Sequence, residues 1–381
     1  MYQLSFSLEE FLAEFWQKKP TIIKGGFKNF QDPISADELA GLSMEEEIDS
    51  RFVSNANDQW DAKHGPFDET LFNSLTEKNW TLIVQAANHW HPASAQLVTP
   101  FRQLSNWLLD DLMISYAVEG GGVGPHIDQY DVFITQGEGS RRWRVGAKDE
   151  GQYVETSRHS ALRQIEGFDP IIDQTLETGD ILYIPPGFPH DGYALEPSIS
   201  YSVGFRSPTE QELLSNFADY VISNDIGENH MHQPSRQIQA ESGTILTNDL
   251  QQLTEMLTSS LQNPTVIKDY MGCLLSQSRH IMDIALPEED WEASEVHNLL
   301  MSGDRLVRIA GLRALYNQGE ESTVYINGEV FTVAEDETDV VLALCNDEIL
   351  SKENLGEQVK NPAAIALITQ LVNKGYWYSA E

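Results

Sequence analysis

Cysteine is nearly absent: the 381 residues contain two, Cys273 and Cys345, and neither sits in a CxxC pair. That excludes a disulfide framework and a thiolate metal site, and it suits a reducing cytoplasm. No run of about 18 apolar residues occurs, so no membrane span is expected. The opening segment MYQLSFSLEEFLAEFW lacks a basic n-region and carries acids inside its apolar stretch. It is a poor secretion signal and a good amphipathic helix. Internal repeats and low-complexity tracts are lacking too. Basic residues are scarce, 24 Lys and Arg against 59 Asp and Glu, for a formal charge of −35. Such a chain repels nucleic-acid phosphates, so no direct nucleic-acid binding is expected. It attracts basic partners instead, unless the acidity serves solubility alone.

Aromatics are plentiful, with 15 Phe, 13 Tyr and 8 Trp, enough for sizeable cores in two or three domains. Ser7 and Glu10 read as a capping box for a helix carrying Leu8, Phe11, Leu12, Phe15 and Trp16 on one face. A short strand over 21–23 and a helix over 36–42 capped by Ser35 follow. From residue 50 to about 206 the pattern is β-rich. Strands are expected at 51–54, 80–85, 111–118, 126–136, 141–146, 180–184 and 198–205, separated by Gly, Pro and Asp turns. This predicts a double-stranded β-helix, the jelly-roll or cupin barrel, over residues 1–206. At Ser207-Pro208-Thr209-Glu210 the pattern turns helical, with Ser207 read as the cap and Pro208 as the first helical residue. Residues 207–285 are expected to form a helical domain. Its leucines at 250, 253, 257 and 261 mark either an intramolecular core or a dimer seam. Residues 286–381 mix helices (338–345, 362–374) with a hairpin turning at Asn327-Gly328, a winged-helix-like arrangement. From residue 207 onward 9 basic residues face 28 acidic ones, so the wing suits protein contact better than DNA.

The chemistry concentrates in GGGVGPHIDQYD and GDILYIPPGFPHDGYA. His126 and Asp128 are two apart, which on a strand turns an imidazole and a carboxylate to one side. A later strand in a barrel can bring His190 to the same point. Two His and one carboxylate form the facial triad of non-haem Fe(II) oxygenases, leaving open positions for a chelating 2-oxo acid and O₂. An aliphatic keto-diacid needs a cation for its distal carboxylate. Of Arg141, Arg142 and Arg144, alternation puts Arg141 with the core-facing Trp143. His89 and His91 in NHWHP lack a carboxylate and a glycine approach, and a structural role is expected. His230 and His232 lie in a polar linker, where nothing specific is expected.

The chain resembles the JmjC-type 2-oxoglutarate oxygenases. It is most similar to the bacterial ribosomal oxygenases, which hydroxylate an arginine of a large-subunit ribosomal protein. The resemblance lies in FWQKKPTIIKGGF, DPISADELAGL, DDLMISYAVEGGGVGPHIDQYDVF, GDILYIPPGFPHDGYALE and LVNKGYWY, spread over nearly the whole length. It implies Fe(II) on His126, Asp128 and His190, and 2-oxoglutarate against Arg141 and Ser115. It also implies a basic ribosomal protein as substrate, a homodimer through the helical domain, and a cytoplasmic location. Many JmjC enzymes carry Asn six residues after the first His; Val132 stands there, so a polar contact has to come from elsewhere, Ser115 being the candidate. Tyr130, Asp131 and Asp111 are candidates for holding the substrate guanidinium. Three other functions stay open: a small-metabolite hydroxylase, a non-catalytic ribosome-assembly binding protein, and a metal-dependent cupin isomerase. The first would have no need of the long C-terminal extension, and the last none of Arg141.

Overall fold

Short β-branched runs broken by glycine turns become two facing sheets. The computed structural model describes residues 2–56, 59–159, 162–238, 241–334 and 337–379. In chain order the first elements are α1 (Leu8–Glu14), β1 (Thr21–Ile23), α2 (Ala36–Leu42), β2 (Ser50–Ser54), β3 (Asp61–His64), α3 (Glu69–Asn73), β4 (Trp80–Val84) and α4 (Pro92–Ala95). Next come β5 (Leu109–Ala117), β6 (His126–Ile127), β7 (Asp131–Gln136), β8 (Arg141–Gly146), β9 (Glu155–His159) and β10 (Leu162–Ile165). β11 (Pro170–Leu176), β12 (Ile181–Ile184), β13 (Pro189–Ala194) and β14 (Ser198–Phe205) complete the series. Among the described residues they form an eight-stranded sheet, β1-β12-β7-β14-β5-β4-β2-β3, and a six-stranded sheet, β11-β8-β13-β6-β10-β9. From β5 to β8 and again from β11 to β14 consecutive strands alternate between the sheets, the jelly-roll device that closes a barrel.

Register assigns the faces. On β14 and β5, Ser200 pairs with Ser115 and Ser202 with Met113. Gln136 of β7 pairs with Ser200. One face of the larger sheet therefore carries Asp111, Met113, Ser115, Ser198, Ser200, Val132 and Ile134, and it looks into the barrel. The other face carries Phe133, Tyr183, Tyr201 and Phe205, which pack with Phe11 and Phe101 in an extensive buried cluster. Helix α1 supplies Phe11 to it. Ser7 accepts from the Glu10 amide at 3.3 Å, one half of the expected capping box.

The sequence pattern misses three features. The expected strand over 126–136 is two strands: the chain leaves the smaller sheet after Ile127 and enters the larger one at Asp131. Strands β3, β9, β10, β11 and β13, the last carrying His190, go unforeseen. β11 is largely exposed, so it lacks the apolar alternation that marks a strand. The helix expected to start after Ser207 begins at Glu210, because Thr209 and Glu212 form the capping box instead.

Contacts divide the chain into two compact units. One comprises Met1–Ser207, Arg279–Ala285 and Ile309–Gly311, and the other Pro208–Ser278, Leu286–Arg308 and Leu312–Glu381. The second unit contains α5 (Glu210–Ser223), α6 (Thr247–Ser259), α7 (Pro264–Ser276) and α8 (Ala293–Ser302). After β15 (Leu306–Arg308) and β16 (Ala314–Asn317), β17 (Glu320–Ile326) and β18 (Glu329–Thr332) form the expected hairpin. Its turn holds Asn327 and Gly328 at φ of 48° and 83°, the left-handed conformation that Asn-Gly accommodates. Helix α7 packs on this hairpin: Gly272 lies against the Tyr325 ring, and the Tyr325 hydroxyl donates to Asp269 at 2.9 Å.

Candidate active site

Strands β6 and β13 pair so that His126 stands opposite His190. Cross-strand partners project to one side, and the two rings lie 4.2 Å apart between centroids. Asp128 follows β6 at the corner where the chain changes sheets. The Gly187 amide fixes that corner by donating to the Asp128 carbonyl at 2.8 Å. The carboxylate lies 3.8 Å from His126 Nε2 and 3.6 Å from His190 Nε2. Asp128 therefore reaches its place through a sheet-changing bend, where the sequence pattern suggested simple strand alternation.

The ring orientations are set by the backbone. His126 Nδ1 lies 2.8 Å from the Gly124 carbonyl, and His190 Nδ1 lies 3.0 Å from the Phe188 carbonyl. A carbonyl only accepts, so each Nδ1 carries the proton and each Nε2 offers its lone pair toward Asp128. Burial pushes the His190 pKa down to about 4, so that imidazole is neutral at physiological pH. Two Nε2 atoms and one carboxylate on one side fit Fe(II), with coordination positions left on the other. Backbone acceptors on the far nitrogens are the usual support for metal-binding imidazoles.

The inner face of β8 carries Arg141, Trp143 and Val145, while Arg142 faces outward and pairs with Asp173 at 2.7 Å. Arg141 is 5% exposed. It crosses the barrel to the larger sheet. Nε donates to Ser198 Oγ at 3.0 Å, Nη1 to Ser115 Oγ at 2.8 Å, and Nη2 to the Ser115 and Ser198 carbonyls at 2.8 and 2.9 Å. All four acceptors are neutral. Burial lowers its pKa to about 9, which still leaves it charged at neutral pH. A buried cation among neutral acceptors has no counter-charge and can receive an anion. Ser115 also lies 3.0 Å from Ser200 Oγ. These serines are polar groups on the same inner face as Val132. Ser198 escaped the sequence reading; its only signal is the alternation of small polar residues in SISYS.

Trp143 stacks along the same wall. Its ring centroid lies 6.3 Å from that of His190, and it packs with Val132, Ile134 and Leu182 of the opposite sheet. Gly192 is required beneath it, since a Cβ there would stand 2.7 Å from the ring.

Of the guanidinium candidates, Asp131 is occupied on the outer face, accepting from the Tyr183 hydroxyl at 2.5 Å and Gln17 Nε2 at 2.9 Å. Asp111 lies on the inner face. Its Oδ2 accepts from Gln85 Nε2 at 2.7 Å and the Ala86 amide at 2.8 Å. Burial raises its pKa, and His280 partly offsets the rise. Tyr130 is held well above its ordinary pKa by burial and by the nearby Asp128 and Asp111 carboxylates, so it is a neutral phenol. Gly204 borders both: a Cβ there would be in ordinary contact, 3.6 Å from Asp111 Oδ1 and 4.0 Å from the Tyr130 ring. His89 is buried with Nδ1 2.8 Å from the Ile281 carbonyl, and His91 caps α4 by accepting from the Ser94 amide at 3.2 Å. Both are structural. His230 and His232 join no metal-ligand cluster among the described residues.

Residues 96–213 match the JmjC domain family, and residues 259–378 match the ROXA-like winged helix. The chain is 48% identical, over 99% of both chains, to the ribosomal protein uL16 3-hydroxylase of Escherichia coli strain K12. It is 29% identical to a probable ribosomal oxygenase of Haemophilus influenzae, over 96% of this chain and 89% of that one. The solved structure of the Escherichia coli ribosomal oxygenase YcfD with cobalt and 2-oxoglutarate superposes with a TM-score of 0.92 at 47% identity, covering all of both chains. With the triad, the buried arginine and the two-part architecture in place, this chain belongs to the JmjC-type 2-oxoglutarate oxygenases, within the ribosomal oxygenases.

Proposed function

We propose that this protein hydroxylates an arginine side chain of a large-subunit ribosomal protein in the cytoplasm, using Fe(II), 2-oxoglutarate and O₂. The observation that carries the reading is Arg141: a buried, charged guanidinium with no acidic partner among its acceptors, inside the same barrel as the triad. His126, Asp128 and His190 would hold the iron. Arg141 and Ser115 would take the distal carboxylate of 2-oxoglutarate. Bound there, ferrous iron supplies the oxygen chemistry, in which the keto acid becomes succinate and carbon dioxide as an unactivated C–H bond is hydroxylated. The protein orients the reactants and keeps the pocket dry with Val132, Ile134, Leu182 and Ile184. The substrate guanidinium fits between the Asp111 carboxylate and the face of Tyr130.

The test combines the protein with Fe(II), 2-oxoglutarate and arginine-containing peptides from basic ribosomal proteins under reducing, aerobic conditions. One added oxygen atom on an arginine, matched by succinate, is expected. Succinate without peptide oxidation points to a small-molecule hydroxylase, and neither product points to the binding module. Asp111→Asn should raise KM for the peptide about tenfold or more while leaving 2-oxoglutarate binding intact. A variant with unchanged peptide KM removes Asp111 from the reading.

The charge of −35 supports a basic partner. Association rates should fall steeply as salt rises, since long-range steering is screened within about 10 Å at 0.1 M. A rate that ignores salt removes steering.

We also propose a homodimer through the helical part, 207–285. Leu250, Leu253, Leu257 and Leu261 on and just beyond α6 are all exposed, with Leu257 at 77%. That leaves the intramolecular reading of this leucine series unsupported. Leu253→Glu with Leu257→Glu should convert a dimer into a monomer in sedimentation. A wild-type protein that is already monomeric would sink the proposal.

A further inference from the structure

Two hydrogen-bond donors on the inner face of β8 lack acceptors. Arg141 uses four N–H groups, and of the five a guanidinium carries, the remaining one is on Nη1. Trp143 is 8% exposed, and its buried Nε1 has no partner among the described residues. A buried indole N–H left unpaired is costly, and such tryptophans ordinarily find an acceptor. The two residues are two apart on one strand, so both side chains enter the same space, about 7 Å apart at their origins. The face of the six-membered ring of Trp143 lies over Gly192 of β13. The indole N–H lies in the plane of the ring and is therefore not directed at Gly192. Trp143 packs in a cluster with Val132, Ile134 and Leu182, whose side chains offer no acceptor.

We propose that Trp143 is a co-substrate-binding residue: its indole N–H and the remaining Nη1 N–H of Arg141 together form a two-donor cradle for the distal carboxylate of the keto-diacid. The proposal rests on the assignment of Arg141 to that carboxylate. It adds a neutral donor that shares the anion with the arginine. A carboxylate has two oxygens, and a cradle with one donor for each fixes its rotation as well as its position. The length of the diacid is then measured against the wall between Arg141 and His190, favouring a five-carbon keto-diacid over shorter ones.

Trp143→Phe keeps an aromatic ring over Gly192 and removes only the donor. Its Kd for 2-oxoglutarate, measured by calorimetry without O₂ on protein loaded with Mn(II), should rise about tenfold, with metal affinity and thermal midpoint unchanged. The KM for 2-oxoglutarate should rise by a larger factor than kcat falls. In the Zn(II)-loaded, ¹⁵N-tryptophan-labelled protein, the indole resonance missing from the variant should move downfield on adding 2-oxoglutarate. An equal Kd in variant and wild type, or an unmoved resonance at saturation, overturns the proposal. Failure of the wild type itself to bind 2-oxoglutarate would instead overturn the assignment of Arg141. Should the variant fail to fold, a crystal structure of the wild-type chain with Co(II) and 2-oxoglutarate decides. A distance of about 2.7–3.2 Å from Nε1 to a carboxylate oxygen supports the cradle, and one beyond about 3.5 Å overturns it.

Discussion

Replacing His190 with alanine is expected to lower turnover by at least about a thousandfold, a loss above roughly 4 kcal/mol of transition-state stabilisation. The residue is 2% exposed, and its ring is fixed twice, by strand pairing with His126 and by the Phe188 carbonyl. Removing it leaves a donor pair, His126 and Asp128, that cannot define one face of an octahedron. No neighbouring side chain substitutes, because Val145 is the β8 partner of His190 and the adjacent wall is Trp143. Metal content after dialysis and succinate formation are the two readouts. Both should collapse together, and thermal unfolding of the metal-free protein serves as the control for misfolding. A variant that retains one equivalent of metal and turnover within tenfold of wild type would show that the triad is not the metal centre.

The second large effect is on Arg141. Arg141→Met fills similar space without charge, and the Kd for 2-oxoglutarate should rise about a hundredfold or more, while metal affinity holds. The reasoning is electrostatic. The guanidinium is already desolvated and held by four neutral acceptors, so the cost of its burial is present before any ligand arrives. An incoming carboxylate meets an oriented cation in a medium of low polarity, where the attraction is far stronger than in water. Truncation removes that attraction and leaves the carboxylate buried without a counter-charge. A 2-oxo acid with an uncharged tail should lose little between wild type and variant, and that contrast separates lost charge from general damage. A rise in Kd below threefold would place the distal carboxylate elsewhere.

Much of this site could be read from residue order, for identifiable reasons. Glycine-rich GGGVG before His126 and the Pro-Pro-Gly turn before His190 mark strand ends, and the ligands sit there. Alternation in RRWRV correctly turned Arg141 inward with Trp143, because a strand side chain has two faces to choose from and Trp selects the core. Capping chemistry located α2 within the observed bounds, with Ser35 and Glu38 bonded reciprocally. The same reasoning erred at Ser207, where two overlapping caps compete within three residues and only the bonded pair, Thr209 and Glu212, decides. Strand β11 was illegible because a largely exposed strand has no apolar face to display.

Residue order by itself determined the types of the candidate ligands, the β-rich character of the first half, the hairpin at Asn327-Gly328 and the acidity that suits a basic partner. These depend on local propensity and on composition, which need no knowledge of distant contacts. Tertiary structure alone decided that β6 pairs with β13 and that the chain changes sheets after Ile127. It also decided that Ser198 closes on Arg141 and that Asp131 faces away from the site while Asp111 faces into it. Each of these is a matter of register between segments far apart in the chain, and a shift of one residue would turn every side chain to the opposite face.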